Sequence, residues 1–248
     1  MTKMRTRLDL EMTRRGLAES REAAQRLIMA GRVRVSSRPA LKADLKVDAD
    51  TEIAVVGVVS EYASRGGYKL AAAIDHFQVE VAERRALDVG ASTGGFTDVL
   101  LQRGVASVIA LDVGYGQLAE KLRQDARVIV MDRSNIRNVT AHDLPYAPEL
   151  VVIDASFISL RLILPAVIAL AAPDAQIIAL VKPQFEVGKG KVGKGGVVRD
   201  AALRQEALDG ILAFARELGL EVVGSMESPI QGAAGNIEYL ALMRKGPA

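Results

Sequence analysis

Asp88-Val89-Gly90-Ala91-Ser92-Thr93-Gly94-Gly95-Phe96 is the stretch on which the fold turns. An apolar run, Ala86–Val89, leads into it and a helical pattern follows. Strand, glycine turn and helix, in that order, open a parallel α/β sheet. The alternation continues downstream. Short apolar runs at Val108–Leu111, Val128–Val130, Leu150–Ile153 and Ile177–Val181 have the length of buried parallel strands, and helical patterns separate most of them. Two further runs, Glu221–Gly224 and Ile237–Met243, complete a Rossmann-like, doubly wound sheet of about seven strands.

Glycines in such a turn let the backbone approach a ligand and place helix N–H groups beneath it. A dinucleotide fingerprint requires G-x-G-x-x-G, and Ser92 interrupts it. An acidic residue two positions before the first glycine and a G-x-x-x-G spacing suit S-adenosylmethionine instead, whose sulfonium and amino groups are cationic. Asp88, Gly90, Ser92, Thr93, Gly94, Gly95 and Phe96 are therefore expected to cradle that cofactor. Asp112 ends the second strand, where a carboxylate accepts ribose hydroxyls, and Asp132 ends the third, within reach of an adenine edge. A second glycine stretch, Gly188–Lys194, matches most of a P-loop, but Gly195 stands where Ser or Thr would hold magnesium. A nucleoside triphosphatase is rejected on that residue.

Upstream the pattern changes. Arg7–Arg15 reads as a helix stopped by Gly16, and Ser20 caps a second helix running to Ala30. Val33–Val35 and Thr51–Val56 read as strands of a small sheet. This head spans 1–60, the sheet domain 61–248, and the junction falls within 57–65. Residues 1–42 carry 11 Lys and Arg against 4 Asp and Glu, a net +7 in a chain whose total is +2. A basic head on a mildly acidic body is expected to meet a polyanion.

The absence of cysteine excludes a disulfide framework, a thiolate metal site, an iron–sulfur cluster and a cysteine nucleophile. Two histidines, His76 and His142, are too few and too separated for a zinc site, so no metal is expected. The start has no apolar signal core, and the most apolar stretch, Leu162–Ala172, is too short to span a bilayer. A soluble cytoplasmic protein without a membrane partner is expected.

Those absences also narrow the methylation chemistry. Pyrimidine C5 methylation generally needs a cysteine, and radical methylation a cysteine-bound cluster. Exocyclic amine methylation usually shows Asn/Asp-Pro-Pro-aromatic after the fourth strand, where this chain has Asp154-Ala155-Ser156-Phe157. Asp154 and Lys182 end adjacent central strands, where ligand-facing residues collect. A hydroxyl is a poor acid, and a lysine can take its proton when neutral or stabilise the forming alkoxide when charged. A Lys before Pro183 at a strand end also has an ordinary structural reading.

The sheet domain resembles the FtsJ-like ribose 2′-O-methyltransferases, which use a Lys-Asp-Lys-Glu tetrad. The matching positions are Lys69 in SRGGYKL, Asp154 in VVIDASF, Lys182 in LVKPQFE and Glu238 in GNIEYL. The resemblance implies that Lys182 activates the hydroxyl, Asp154 adjusts it, and Lys69 and Glu238 orient the site. The whole chain is similar to the TlyA-type rRNA methyltransferases, some of which carry a hemolysin label. The matching segments include DVGASTGGFTD, ALDVGYGQL, KPQFEVGKG and VGKGGVVRD. The head resembles the small α+β S-four-type RNA-binding domain, departing from it where Ser36-Ser37 replaces the usual Asn-Gly.

The resemblance implies ribosomal RNA, free or in ribosomal subunits, as the partner and a cytidine as the target. Arg14, Arg15, Arg21, Arg26, Arg32 and Arg34 are the candidate phosphate contacts, joined by Lys189, Lys191 and Lys194 on the glycine-rich loop. Phe157, Phe185 and Tyr239 are candidates to stack on a flipped base, though aromatic residues at such spacing are as often core. A non-catalytic ribosome assembly factor and a membrane-active hemolysin are the alternatives. The junction GVVSEYASR is expected to couple RNA docking to cofactor binding.

Overall fold

The computed structural model describes residues 5–29, 31–40, 42–56, 61–232 and 234–246. The expected helix end at Ala30 and the first part of the junction, residues 57–60, lie outside them. The chain separates into two compact units, Met1–Glu61 and Tyr62–Ala248.

The first unit runs β1 (Thr6–Arg7), α1 (Leu8–Arg14), α2 (Arg21–Met29), β2 (Val33–Val35), β3 (Arg38–Pro39), β4 (Lys46–Val47) and β5 (Ile53–Val55). Apolar residues at helical spacing on α1 and α2 meet the inward side of β2 and β5, so Leu8, Met12, Ala24, Ile28, Val33 and Ile53 close a small core. Ser20 caps α2 by accepting from the Ala23 N–H at 3.1 Å. Ser36 and Ser37 both have positive φ, 48° and 66°, and join β2 to β3 in the left-handed geometry that Asn-Gly adopts at lower cost. The strands β1, β3 and β4 were not foreseen. Two-residue bridges are too short to leave a period-2 signal.

The second unit follows with α3 (Gly66–Phe77), β6 (Arg85–Val89), α4 (Gly95–Gln102), β7 (Ser107–Leu111), α5 (Glu120–Arg123), β8 (Val128–Met131) and β9 (Leu150–Ile153). It ends with α6 (Leu160–Leu170), β10 (Gln176–Val181), α7 (Pro183–Glu186), α8 (Ala201–Glu217), β11 (Leu220–Glu227) and β12 (Tyr239–Lys245). Among the described residues the strands form one seven-stranded sheet, ordered β11-β12-β10-β9-β6-β7-β8. Strands β6 to β10 pair in parallel, while β12 runs antiparallel to both neighbours. The sheet is α/β as expected, and its last hairpin makes it mixed.

Both faces are covered. Ala86, Val108, Leu150 and Ile178 face a core closed by α3 and α4; Leu87, Ile109, Val151 and Ile177 face one closed by α6 and α8. Double coverage is why these strands read as continuous apolar runs. Between β8 and β9 only two 3₁₀ turns stand, Ile136–Asn138 and Ala141–Asp143. Among the described residues no helix is long and apolar enough to cross a membrane. Strand order reverses between β6 and β9, which opens a crevice at their carboxyl ends.

Candidate active site

The loop after β6 lies at that crevice. Gly90 has φ +87°, and a Cβ there would come within 2.8 Å of the Asp154 carbonyl oxygen. Gly94 has φ +94° and caps α4, where a Cβ would run into Leu122; one on Gly95 would run into the Ser64 hydroxyl. These glycines are thus required by close packing against β9, α5 and the segment before α3. No side chain caps α4 at Gly94; in its first turn the Thr97 N–H is turned to Asp88, and those of Gly95 and Phe96 face the loop end. Gly90, Ser92, Thr93, Gly95 and Phe96 line a cavity of 680 Å³, within the range of cofactor pockets.

The four residues of the expected tetrad converge on the same cavity. Lys69, on α3, donates to Glu238 Oε2 at 2.5 Å, and both side chains are buried. Lys182, just past β10 and also buried, pairs with Asp154 Oδ1 at 2.6 Å and donates to Ser156 Oγ at 2.8 Å. Gln184 Nε2 donates to Glu238 Oε1 at 3.4 Å, and its buried Oε1 has no partner among the described residues. Each lysine therefore meets one carboxylate and keeps unfilled hydrogen-bonding positions.

The remaining acidic residues take different stations. Asp88 is wholly buried beneath the loop and does not line the cavity; its Oδ2 accepts from Thr97 Oγ1 at 2.6 Å and its Oδ1 lacks a partner. Burial pushes its pKa up to about 7 despite the Thr97 hydrogen bond, with Asp154 and Asp112 adding to the rise. Asp112 accepts from the Ser92 N–H at 2.8 Å and the Gly114 N–H at 2.7 Å, tying its loop to the glycine turn. Asp132 accepts from the Gly116 N–H and pairs with Arg123 at 3.0 Å, and these, the Gly116 bond first, hold it below the usual carboxylate range.

The arginines of the first unit divide into two groups. Arg14 and Arg15 both donate to the buried Glu11, and Arg15 also reaches the carbonyls of Asp48, Ala49 and Thr51. Arg21 joins Arg7 on the buried Asp9. Arg26, Arg32 and Arg34 are exposed. On the second unit, Lys191 pairs with Glu206 at 2.7 Å, Lys194 is exposed, and Lys189 begins a 3₁₀ turn.

Among the aromatics, Phe157 is 91% exposed at the cavity rim with φ +64°, and its ring tilts against Phe185 at 5.4 Å. Tyr239 instead packs against the core. The residue-level reading missed Ser156, Gln184 and the buried Asn236, all of which line the cavity. Asn236 accepts from the Val198 N–H and donates to the Gly196 carbonyl, both at 2.9 Å, which holds one end of the glycine-rich loop. Its signal lay in GNIEYL, already quoted for Glu238.

Residues 62–245 match the FtsJ-like methyltransferase family and residues 6–53 match the S4 domain. The 16S/23S rRNA (cytidine-2′-O)-methyltransferase TlyA of Mycobacterium tuberculosis is 52% identical over 242 residues, 97% of this chain and 90% of that protein. A solved Streptococcus thermophilus protein carrying a hemolysin name is 44% identical, with a TM-score of 0.78 over 98% of this chain and 89% of that one. The N-methyltransferase NodS of Bradyrhizobium japonicum, solved with S-adenosyl-L-homocysteine, shares the fold at 14% identity and a TM-score of 0.51, over 72% of this chain and 87% of that one.

Proposed function

This chain belongs to the FtsJ-like methyltransferase family, in the group that includes TlyA, and on that premise we propose that it methylates a cytidine 2′-hydroxyl in ribosomal RNA. The observation that carries the reading is the convergence of Lys182–Asp154 and Lys69–Glu238 on a cavity floored by the glycine turn. S-adenosylmethionine is the methyl donor, supplying an electrophilic methyl group on a sulfonium. The residues present fit it. The glycine cradle leaves no room for side chains at Gly90, Gly94 and Gly95, and Asp112 stands beside it with acceptors for hydroxyls, while Asp132, held on Gly116 and Arg123, lies further along the strand ends.

Lys182 stands beside the hydroxyl and either takes its proton or balances the alkoxide charge. Asp154 pairs with Lys182 and adjusts its charge, and the Lys69–Glu238 pair holds the opposite wall. Arg26, Arg32, Arg34, Lys189, Lys191 and Lys194 contact RNA phosphates, while Arg14, Arg15 and Arg21 chiefly build the unit that presents them. Phe157 and Phe185 stack on a base displaced from its helix. The first unit docks RNA, the second carries out transfer, and the protein works in the cytoplasm on ribosomal RNA or a ribosomal subunit.

The test is tritiated methyl transfer to ribosomal RNA, separated subunits and whole ribosomes from cells lacking the protein. Label in an alkali-resistant dinucleotide is expected, and Lys182→Ala is expected to abolish it while adenosylmethionine affinity is kept. Full turnover in a folded Lys182→Ala variant removes the assignment.

A further inference from the structure

What Lys182 can do depends on where its nitrogen points. We propose that Ser156 is a positioning residue for Lys182: it takes the directed hydrogen bond of Nζ, while Asp154 holds the nitrogen by charge, and the remaining positions are thereby aimed at the ribose 2′-oxygen. This rests on the methyl-transfer reading above.

The nitrogen has three positions besides its bond to Cε. Ser156 Oγ takes one of them in a hydrogen bond at 2.8 Å. Asp154 Oδ1 lies 2.6 Å away as an ion-pair partner outside hydrogen-bond geometry, so it holds the nitrogen by charge and does not fix its rotation. With Asp154 alone the group would turn about its Cε–Nζ bond. Near-attack geometry tolerates little of that freedom.

Ser156 is itself held in place. The next residue, Phe157, has φ +64°, a left-handed conformation that persists only where the surroundings impose it. Just beyond it, Glu186 of α7 accepts from Ser159 Oγ at 2.6 Å and from the Leu160 N–H at 2.9 Å. It clamps the chain after β9 to the chain after β10, the two segments that carry Ser156 and Lys182. At the bend, Phe157 is sent outward and the Ser156 hydroxyl meets Lys182 beside the cavity.

The full-length chain tests this in two ways. Nitrogen-15 spectra of lysine side chains in the free protein, with the Lys182 signal identified by its loss in Lys182→Arg, should show that signal displaced in Ser156→Ala and restored in Ser156→Thr. Methyl transfer to deproteinised ribosomal RNA and separated subunits should show Ser156→Ala lowering kcat about 10- to 150-fold, the range for losing a hydrogen bond to a charged group. RNA KM and adenosylmethionine Kd should stay within about twofold, and threonine should restore most of kcat. An unmoved Lys182 signal, or an unchanged kcat in Ser156→Ala beside an inactive Lys182→Ala, overturns the positioning role and leaves the methyl-transfer reading standing. An active Lys182→Ala overturns both.

Discussion

In the first unit Asp9 collects hydrogen bonds from Arg7, Arg21, Gln25 and the Leu10 N–H, and Glu11 collects them from Arg14 and Arg15. At the sheet crevice Glu238 and Asp154 each meet one lysine, and those lysines keep positions open. Both arrangements put charge where water is scarce. The first saturates a buried carboxylate, which offsets its desolvation and fixes two helices. The second stops short of saturation, and the unfilled valence is what a substrate can use. Buried charge alone therefore does not mark a functional site; the positions left open on the lysines separate the two cases.

The sharpest way to break this contrast is to remove one member of an unsaturated pair. Lys69→Ala and Glu238→Ala are each expected to lower kcat/KM for methyl transfer by about 10²- to 10³-fold, the scale for losing a preorganised electrostatic group. Adenosylmethionine binding, followed by calorimetry, should change little. Rates within about threefold of wild type in both variants would place this pair with the structural ones.

Removing a saturated carboxylate should act on folding instead. Asp9→Ala leaves Arg7 and Arg21 without their shared acceptor and is expected to destabilise the first unit by about 3 kcal/mol. A unit of roughly sixty residues has little reserve. Hydrogen exchange should therefore lose protection across residues 5–56 while the sheet of the second unit keeps its own. Acid should do the same more gradually. Hydrogen bonds from Arg14, then Arg15, lower the Glu11 pKa to about 2, so its contribution is present above pH 4.5 and is lost as pH falls towards 2. Uniform loss of protection over both units would show that they do not unfold separately.

Much of the sheet is written in the sequence, because short apolar runs between helical patterns have few other readings. Leu150–Ile153 is a strand at the expected residues, and β6, β7 and β10 each begin one residue early. The cavity wall is less direct. Lys69 and Glu238 stand 169 positions apart and touch only because α3 crosses the face of β12, so family resemblance found them where periodicity could not. Arg14 and Arg15 look like any basic helix face, since Glu11 three and four positions away gives no sign of being buried. The Ser156–Lys182 contact joins the segments after β9 and β10, and the left-handed φ of the neighbouring Phe157 leaves no trace in residue type.

Asp88 is the exception within the second unit, a buried carboxyl with neither a saturating set of donors nor an opening to the cavity. Its raised pKa fixes the sign of its effect. Below about pH 4 folded and unfolded chains both hold the proton; between there and about pH 7 the unfolded chain releases it and the folded chain does not. Stability from this group is therefore present in acid and lost as pH rises through that window. Asp88→Asn keeps an acceptor for Thr97 and removes the titration. The variant should gain on wild type by about 1–2 kcal/mol from pH 4 to pH 7 and no further above it, since an interior that relaxes around charge softens the burial term. Urea unfolding followed by circular dichroism suits a chain without tryptophan. Parallel pH profiles for the two proteins would mean that Asp88 is ionised beneath the loop, and the carboxyl would then belong with the charges that the site uses.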